Sequence, residues 1–173
     1  QVDSSENGHV GCGGPPTADS PYRQIDGSGG TLKYAVFVAK NITVNAGRVL
    51  AVGGNRPLIL IAKEKIIING SIDVTPGTTG AYALNNGDSN GAGPGAGKGS
   101  DNTTGGSGGG GGFCGKGGKG GAVGATAGPS YGDATLIPLQ GGSAGGGLFA
   151  AQGGGAIQLV AGQEIVLAAG SYI

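Results

Sequence analysis

Residues 38–47 (VAKNITVNAG) contain the phrase that decides the fold, and the chain repeats it at residues 61–70 (IAKEKIIING) and 160–170 (VAGQEIVLAAG). Each copy has an apolar run, a short polar break, a second apolar run and a glycine turn. The first two copies are offset by 23 residues, a spacing typical of one coil of a parallel β-solenoid. Because a single coil cannot bury its apolar side alone, we expect the copies to stack.

The sequence around the first two copies, residues 31–76, has strand and turn signals and no helical period. Its β-branched residues occur in short runs bounded by Asn-Gly or Gly-Gly turns. Residues 58–61 (LILI) and 66–68 (III) are apolar on both faces, which is typical of strands that are covered on both sides. The sequence therefore predicts an all-β protein whose core is a short parallel β-helix. Its coils are residues 31–76, and residues 156–173 form a returning coil in the same domain.

A glycine-rich insertion, residues 77–155, holds most of the 44 glycines of the chain. Glycine recurs at every third position from Gly106 to Gly124, which matches the three residues per turn of a polyproline II helix. Over residues 91–99 glycine alternates with other, mostly small residues, as in an extended strand with one bare face. We expect this insertion to pack on or flank the coils. A flexible linker is the alternative, since glycine and serine tracts usually behave as coil.

The N-terminal segment and the two cysteines indicate an extracytoplasmic protein. Residues 1–30 are rich in proline and glycine and predict an extended arm, whose polar start at Gln1 resembles a mature end left by signal-peptide cleavage. Cys12 and Cys114 have no neighbouring Cys or His that would complete a metal site. We expect them to form a disulfide, with two unrelated buried thiols as the alternative. A disulfide would place the protein outside the cytoplasm, secreted or at the cell surface.

Charge and hydropathy exclude two classes of partner. The formal net charge is zero, which provides no basic surface for nucleic acid. No apolar stretch approaches the roughly 20 residues needed to span a bilayer. The sequence therefore predicts neither a nucleic-acid partner nor a membrane span. Asn102 begins an Asn-Thr-Thr sequon in the glycine-rich stretch and is the best of three candidate N-glycosylation sites.

Charged residues in and near the polar breaks are the candidates for catalysis. Enzymes that cleave polysaccharides on β-helices gather acidic and basic residues on one strand face, and this comparison is an analogy of fold alone. No pair of carboxylates has a spacing that predicts glycoside cleavage, and solvated turn charges explain these residues adequately. The sequence predicts a non-enzymatic protein without catalytic, cofactor-binding or metal-binding residues. The catalytic candidates that we set aside are Lys40, Lys63, Glu64, Lys65 and Asp73.

The third copy of the phrase leads into residues 170–173 (GSYI), which match residues 70–73 (GSID) after the second copy. This segment is therefore expected to be a strand, and an unpaired apolar strand is a template for pairing with another chain. Solenoids need caps, so either the polypeptide continues or another subunit supplies the next coil. The predicted assembly strand residues are Ile157, Leu159, Ile165, Leu167, Tyr172 and Ile173.

The order of these elements resembles a broad group of secreted, glycine-rich bacterial surface proteins with β-helix-like repeats. The likeness is carried by residues 42–50 (ITVNAGRVL), 56–62 (RPLILIA), 66–74 (IIINGSIDV) and, after the glycine-rich block, 154–160 (GGAIQLV). The resemblance implies an extracellular location and a β-helical architecture. It transfers no catalytic residue, because the proteins of this group are mostly uncharacterised. This chain is shorter than they usually are.

These observations predict a non-enzymatic extracellular structural protein, a subunit of a self-assembling filament, sheath or matrix. The predicted mechanism is axial stacking of β-strands, in which the N-terminal arm of one subunit pairs with the last coil of the next. Head-to-tail contacts that do not close generate filaments. The predicted partner is the protein itself, and a surface polysaccharide is the second candidate. Two alternatives stay open: a polysaccharide-cleaving enzyme, and a carbohydrate-binding adhesin that would use Tyr22, Tyr34, Tyr82, Tyr131 and Tyr172.

Overall fold

The computed structural model describes residues 2–3, 22–26, 33–53, 56–74, 90–99, 108–121, 123–147 and 151–173. These residues form β-strands and no helix, which confirms the predicted all-β class, and they therefore contain no helix able to cross a membrane. The strands are Val2–Asp3 (β1), Tyr22–Asp26 (β2), Lys33–Ala39 (β3), Ile42–Val44 (β4), Val49–Gly53 (β5), Leu58–Ala62 (β6), Lys65–Ile68 (β7), Ser71–Val74 (β8), Ile157–Ala161 (β9) and Glu164–Leu167 (β10).

The strands form three sheets, and most of the neighbouring strands are parallel. The first sheet has the order β2-β3-β6-β9, the second β4-β7-β10 and the third β1-β5-β8. Of the pairs between named strands, β2 with β3 is antiparallel. The chain passes through the three sheets in the same order from β3 to β5 and again from β6 to β8. A third pass consists of β9, β10 and a bridge from Tyr172 to Ser71; we call these three segments the last layer.

Equivalent positions of the repeated phrase are paired across the sheets. In the second sheet Ile42 pairs with Ile66, which pairs with Ile165 on its other side. Because paired residues in a sheet point to the same face, like residues form apolar rows from strand to strand. These rows build the hydrophobic core of the strands. Its buried members are Ala35, Phe37, Val44, Val52, Leu58, Leu60, Ala62, Ile66, Ile68 and Ile72.

Each copy of the phrase ends in a glycine, and the physical reason for the glycine differs between copies. Gly47 and Gly170 have φ angles of +69° and +82°, a region that residues with a Cβ rarely adopt. Gly70 instead lies against the backbone of the preceding pass. A Cβ at this position would overlap the carbonyl oxygens of Arg48 and Asn45, so the close approach of two turns excludes a side chain there.

The chain divides into two compact units. The first comprises Gln1–Thr75 and Ile157–Ile173 and contains all the named strands, and the second is Pro76–Ala156. The described residues of the second unit form no strand and only isolated bridges, such as Lys98 with Thr126. The alternating glycines of residues 91–99 therefore do not form the predicted strand. Their segment turns at Gly93, where φ is +102°.

Backbone hydrogen bonds between distant glycines organise the described part of the second unit. The N–H of Gly110 donates to the carbonyl of Gly118 at 2.8 Å, and the N–H of Gly128 donates to that of Gly110 at 3.0 Å. The N–H of Gly112 donates to the carbonyl of Gly95 at 2.7 Å. These bonds join segments that lie far apart in the sequence.

The glycines that recur every third residue are not all packed in the same way. A Cβ at Gly109 would overlap the carbonyl of Thr126, and one at Gly112 would overlap another backbone carbonyl. Gly118 and Gly124 have open space at the same position. A Cβ would therefore meet neighbouring backbone at Gly109 and Gly112 but not at Gly118 and Gly124, so the three-residue series is not closely packed along its whole length.

Candidate functional site

The last layer has a paired neighbour on one side. β9 pairs with β6, and β10 pairs with β7. Among the described strands, β9 and β10 each lie at one end of their sheet. A strand in that position presents a row of backbone N–H and C=O groups without a strand partner. The last layer is therefore an edge to which a further strand can be added.

The predicted assembly residues divide into two groups in the structure. Ile157 and Leu159 of β9 are half-buried and pack against the core. Residues in and after β10 are exposed although their equivalents in β7, Ile66 and Ile68, are fully buried. The exposed group consists of Ile165 (44% exposed), Leu167 (56%), Tyr172 (62%) and Ile173 (48%). The apolar rows of the core thus end at an uncovered surface.

The segment after β10 is held in place by hydrogen bonds to β8 and within its own turn. The N–H of Ile72 donates to the carbonyl of Tyr172 at 2.9 Å. The hydroxyl of Ser171 donates to the carbonyl of Ala168 at 2.7 Å. These bonds fix the backbone of the last layer while the ring of Tyr172 stays exposed, so the apolar surface is presented on ordered backbone.

A charged corner lies where the chain passes from the first sheet to the second. Lys40 Nζ is 3.3 Å from Glu64 Oε1, and Asn41 Nδ2 donates to Glu64 Oε2 at 3.1 Å. Asn41 Oδ1 accepts a hydrogen bond from the backbone N–H of Lys65 at 3.1 Å. The polar breaks of the first two copies are therefore bonded directly to each other.

The corner continues into the last layer through one ion pair. Lys65 Nζ lies 2.5 Å from Glu164 Oε1, and both side chains are partly exposed. The hydrogen bond and then the negative charge of Glu164 raise the pKa of Lys65 above its ordinary value of 10.5. Glu164 of the edge strand β10 is therefore paired with the ammonium group of Lys65 in the neighbouring strand β7.

Replacing Glu164 with glutamine is expected to lower the pKa of Lys65 toward 10.5, because the negative charge is removed and the hydrogen bond to a neutral amide oxygen is weaker. The pair favours protonated Lys65 in the folded state, so its contribution is present at neutral pH and is lost as the pH rises through the raised pKa. Titration of the Lys65 side chain by NMR measures the shift. Glu64→Gln is the matched control and should lower this pKa less, and an unchanged pKa in Glu164→Gln would contradict the ion pair.

The catalytic candidates lie on the exposed or partly exposed surface. The corner brings Lys40, Glu64 and Lys65 together, whereas Lys63 and Asp73 are exposed and contribute to none of the corner contacts described above. In the described part of the chain, no group of three His, Cys, Asp or Glu side chains could hold a metal ion. The arrangement at the corner is that of ion pairs between neighbouring passes of the chain.

Four further predicted positions belong to the second unit or lie outside the described residues. Tyr131 donates its hydroxyl to the carbonyl of Gly141 at 2.5 Å, and its ring packs edge-to-face on Phe113 at 5.0 Å. Cys114 is exposed and forms no disulfide with a described residue. Cys12 and Asn102 lie outside the described residues, so the disulfide and the glycosylation site stay predictions. Tyr131 contributes its hydroxyl and ring to the packing of its own unit.

Sequence reasoning missed the contacts that join the corner. Asn41 lies in the polar break of the first copy, and the 23-residue offset of the two copies brings it beside Glu64 of the second. The ion pair of Lys65 with Glu164 follows in the same way from aligning the second and third copies. Comparison of the chain with protein-family models, with curated protein sequences and with solved structures gives no match.

Proposed function

We propose that this chain is a non-enzymatic, extracellular structural protein that self-assembles end to end through its last layer into a filament, sheath or matrix. The observation that carries the proposal is the exposure of Ile165, Leu167 and Tyr172 on an edge with a strand partner on one side. Burying apolar area of this kind favours association by roughly 25 cal/mol per Å² before the costs of association. The extracellular location rests on the predicted disulfide and on the resemblance to secreted surface proteins.

The proposed architecture of the first unit is a short parallel β-helix, and that of the second unit is a set of glycine-rich extended or polyproline II segments. The β-helix is supported by the repeated order in which the chain passes through the three sheets and by the parallel pairing of equivalent residues. This architecture explains why an end layer is functionally important. In a stack of coils the last coil has no neighbour of its own, so its apolar side needs a cover from elsewhere.

Replacing Ile165 with aspartate is expected to abolish self-association, because the junction would bury an unpaired carboxylate. Sedimentation equilibrium over a wide range of protein concentration measures the effect, and electron microscopy of negatively stained samples shows whether filaments form. Val123→Asp is the matched control, since Val123 is an exposed apolar residue of the other unit. A single monomeric species of the unaltered protein at every concentration would refute the proposed function, as would full association of Ile165→Asp.

A further inference from the structure

We propose, building on the self-association put forward above, that β10 pairs with β10 of a second copy of this chain in an antiparallel junction with two-fold symmetry. All four residues of β10 are exposed, and three of them, Ile165, Val166 and Leu167, are apolar. β10 is at the end of the second sheet among the described strands. The junction would continue this sheet from one copy into the other.

The exposed surfaces favour the same end of a second copy as the partner. In β4, at the opposite end of the second sheet, the equivalent residues are covered: Ile42 is half-buried and Val44 is buried. Association removes the most apolar area from water when two exposed apolar surfaces cover each other. Within the second sheet, that surface is presented by β10. Two identical surfaces meet in an isologous contact, which requires a two-fold axis.

The alternation of side chains along β10 fixes the register of the junction. Ile165 and Leu167 continue the core rows of Ile66 and Ile68, so Val166 faces the other side of the sheet. A two-fold axis normal to the sheet keeps core-facing residues opposite core-facing residues. Two such registers overlap three residues of β10, and we take the one that pairs Ile165 with Leu167 of the second copy because it keeps the two Glu164 carboxylates farther apart. Val166 lies on the axis, opposite its own counterpart.

The charge of Glu164 is compatible with this register. Glu164 is opposite Ala168 of the second copy, and the two Glu164 residues are four positions apart along the strands, about 14 Å. This separation exceeds the Debye length of about 8 Å at physiological salt. Each carboxylate also keeps its own Lys65. Shifting the register by two residues to bring Ile165 opposite itself would halve the separation, to about 7 Å.

A two-fold junction closes on itself, which changes how a filament would grow. The building block is a dimer joined through the last layers of two copies. A filament then needs a second, different contact at another surface of the dimer. The head-to-tail polarity expected from the sequence is replaced by an assembly without polarity, and the dimer is the first species to form as the concentration rises.

Introducing opposite charges at Val166 tests the junction. In the proposed register, Val166 is the only residue of β10 that lies opposite the same residue of the second copy. Val166→Lys and Val166→Asp should each raise the dissociation constant at least about tenfold, since each places like charges opposite each other. An equimolar mixture of the two variants should recover dimers, nearly all of them mixed. Native mass spectrometry distinguishes mixed from unmixed dimers by mass. The matched controls, Gln158→Lys and Gln158→Asp, change an exposed residue of β9 and should show no preference for mixed pairs.

Two outcomes overturn the proposal and are distinguishable. If the unaltered protein stays monomeric at every concentration, the junction and the proposed function both fail. If the unaltered protein associates but the Val166 variants mix at random, the two-fold junction fails and self-association through another contact stands. A mixed dimer that forms in preference to both unmixed ones supports the junction.

Discussion

Replacing Ile66 with alanine is expected to lower the free energy of unfolding by about 2–5 kcal/mol. Ile66 is fully buried and lies between Ile42 and Ile165 in the neighbouring strands. The substitution removes apolar contacts and leaves a cavity, because the flanking strands are fixed by their own pairing and collapse only in part. Urea unfolding followed by circular dichroism measures the change, at a protein concentration where the unaltered chain is monomeric.

The matched control for this variant is Ile165→Ala, which changes the same residue type in the same apolar row. Ile165 is exposed at the edge of the sheet, so the truncation should cost less than about 1 kcal/mol in the monomer. The difference between the two variants reports on how well the last layer is covered. Equal losses of stability would mean that Ile165 is buried in solution, contrary to the structure.

Replacing Gly97 with alanine is expected to destabilise the second unit by about 1–3 kcal/mol, the usual cost of inserting a group into close-packed surroundings. A Cβ at Gly97 would overlap the backbone of Gly109 and Gly110. Backbone atoms cannot rotate away as a side chain can, so the two segments have to separate. Hydrogen exchange of the amides in residues 108–121 measures the loss of protection.

Gly118→Ala is the control for the glycine-rich unit, because a Cβ there meets no atom within 4 Å. Its φ angle is not among the positive ones, so alanine can adopt this backbone. We expect stability to stay the same or to rise by up to about 1 kcal/mol, as the unfolded chain loses freedom. If Gly97→Ala and Gly118→Ala have the same effect, close glycine packing does not hold this unit together.

Much of the strand pairing in the first unit could be predicted from the repeated phrase. Aligning the apolar runs of its copies gives the observed pairs of Ile42 with Ile66 and of Ile66 with Ile165, provided that the polar break of the second copy is counted one residue longer than that of the first. A register with apolar residues on one face allows no other shift by a single residue. The antiparallel pairing of β2 with β3 could not be predicted in this way. β2 contains no copy of the phrase, so its direction depends on the path of the chain before β3.

The glycine-rich unit shows where a sequence pattern stops being informative. The three-residue period identified Gly109 and Gly112 as packed glycines but gave no reason to separate them from Gly118. Which glycine meets a neighbouring segment depends on where distant segments cross, and composition does not encode that. At the candidate site the sequence predicted the apolar residues of the last layer. The ion pair from Glu164 to Lys65 follows once the second and third copies of the phrase are aligned.

The most direct test of this account is hydrogen exchange of β10 in the unaltered protein, measured at low and at high protein concentration. Alternate amides of an edge strand have no strand acceptor. We predict that these amides of β10 exchange rapidly in the dilute protein and become protected as the concentration rises, while those of β7 stay protected throughout. Protection of every β10 amide in the dilute monomer, or exchange that does not change with concentration, would contradict an open edge that binds a second copy.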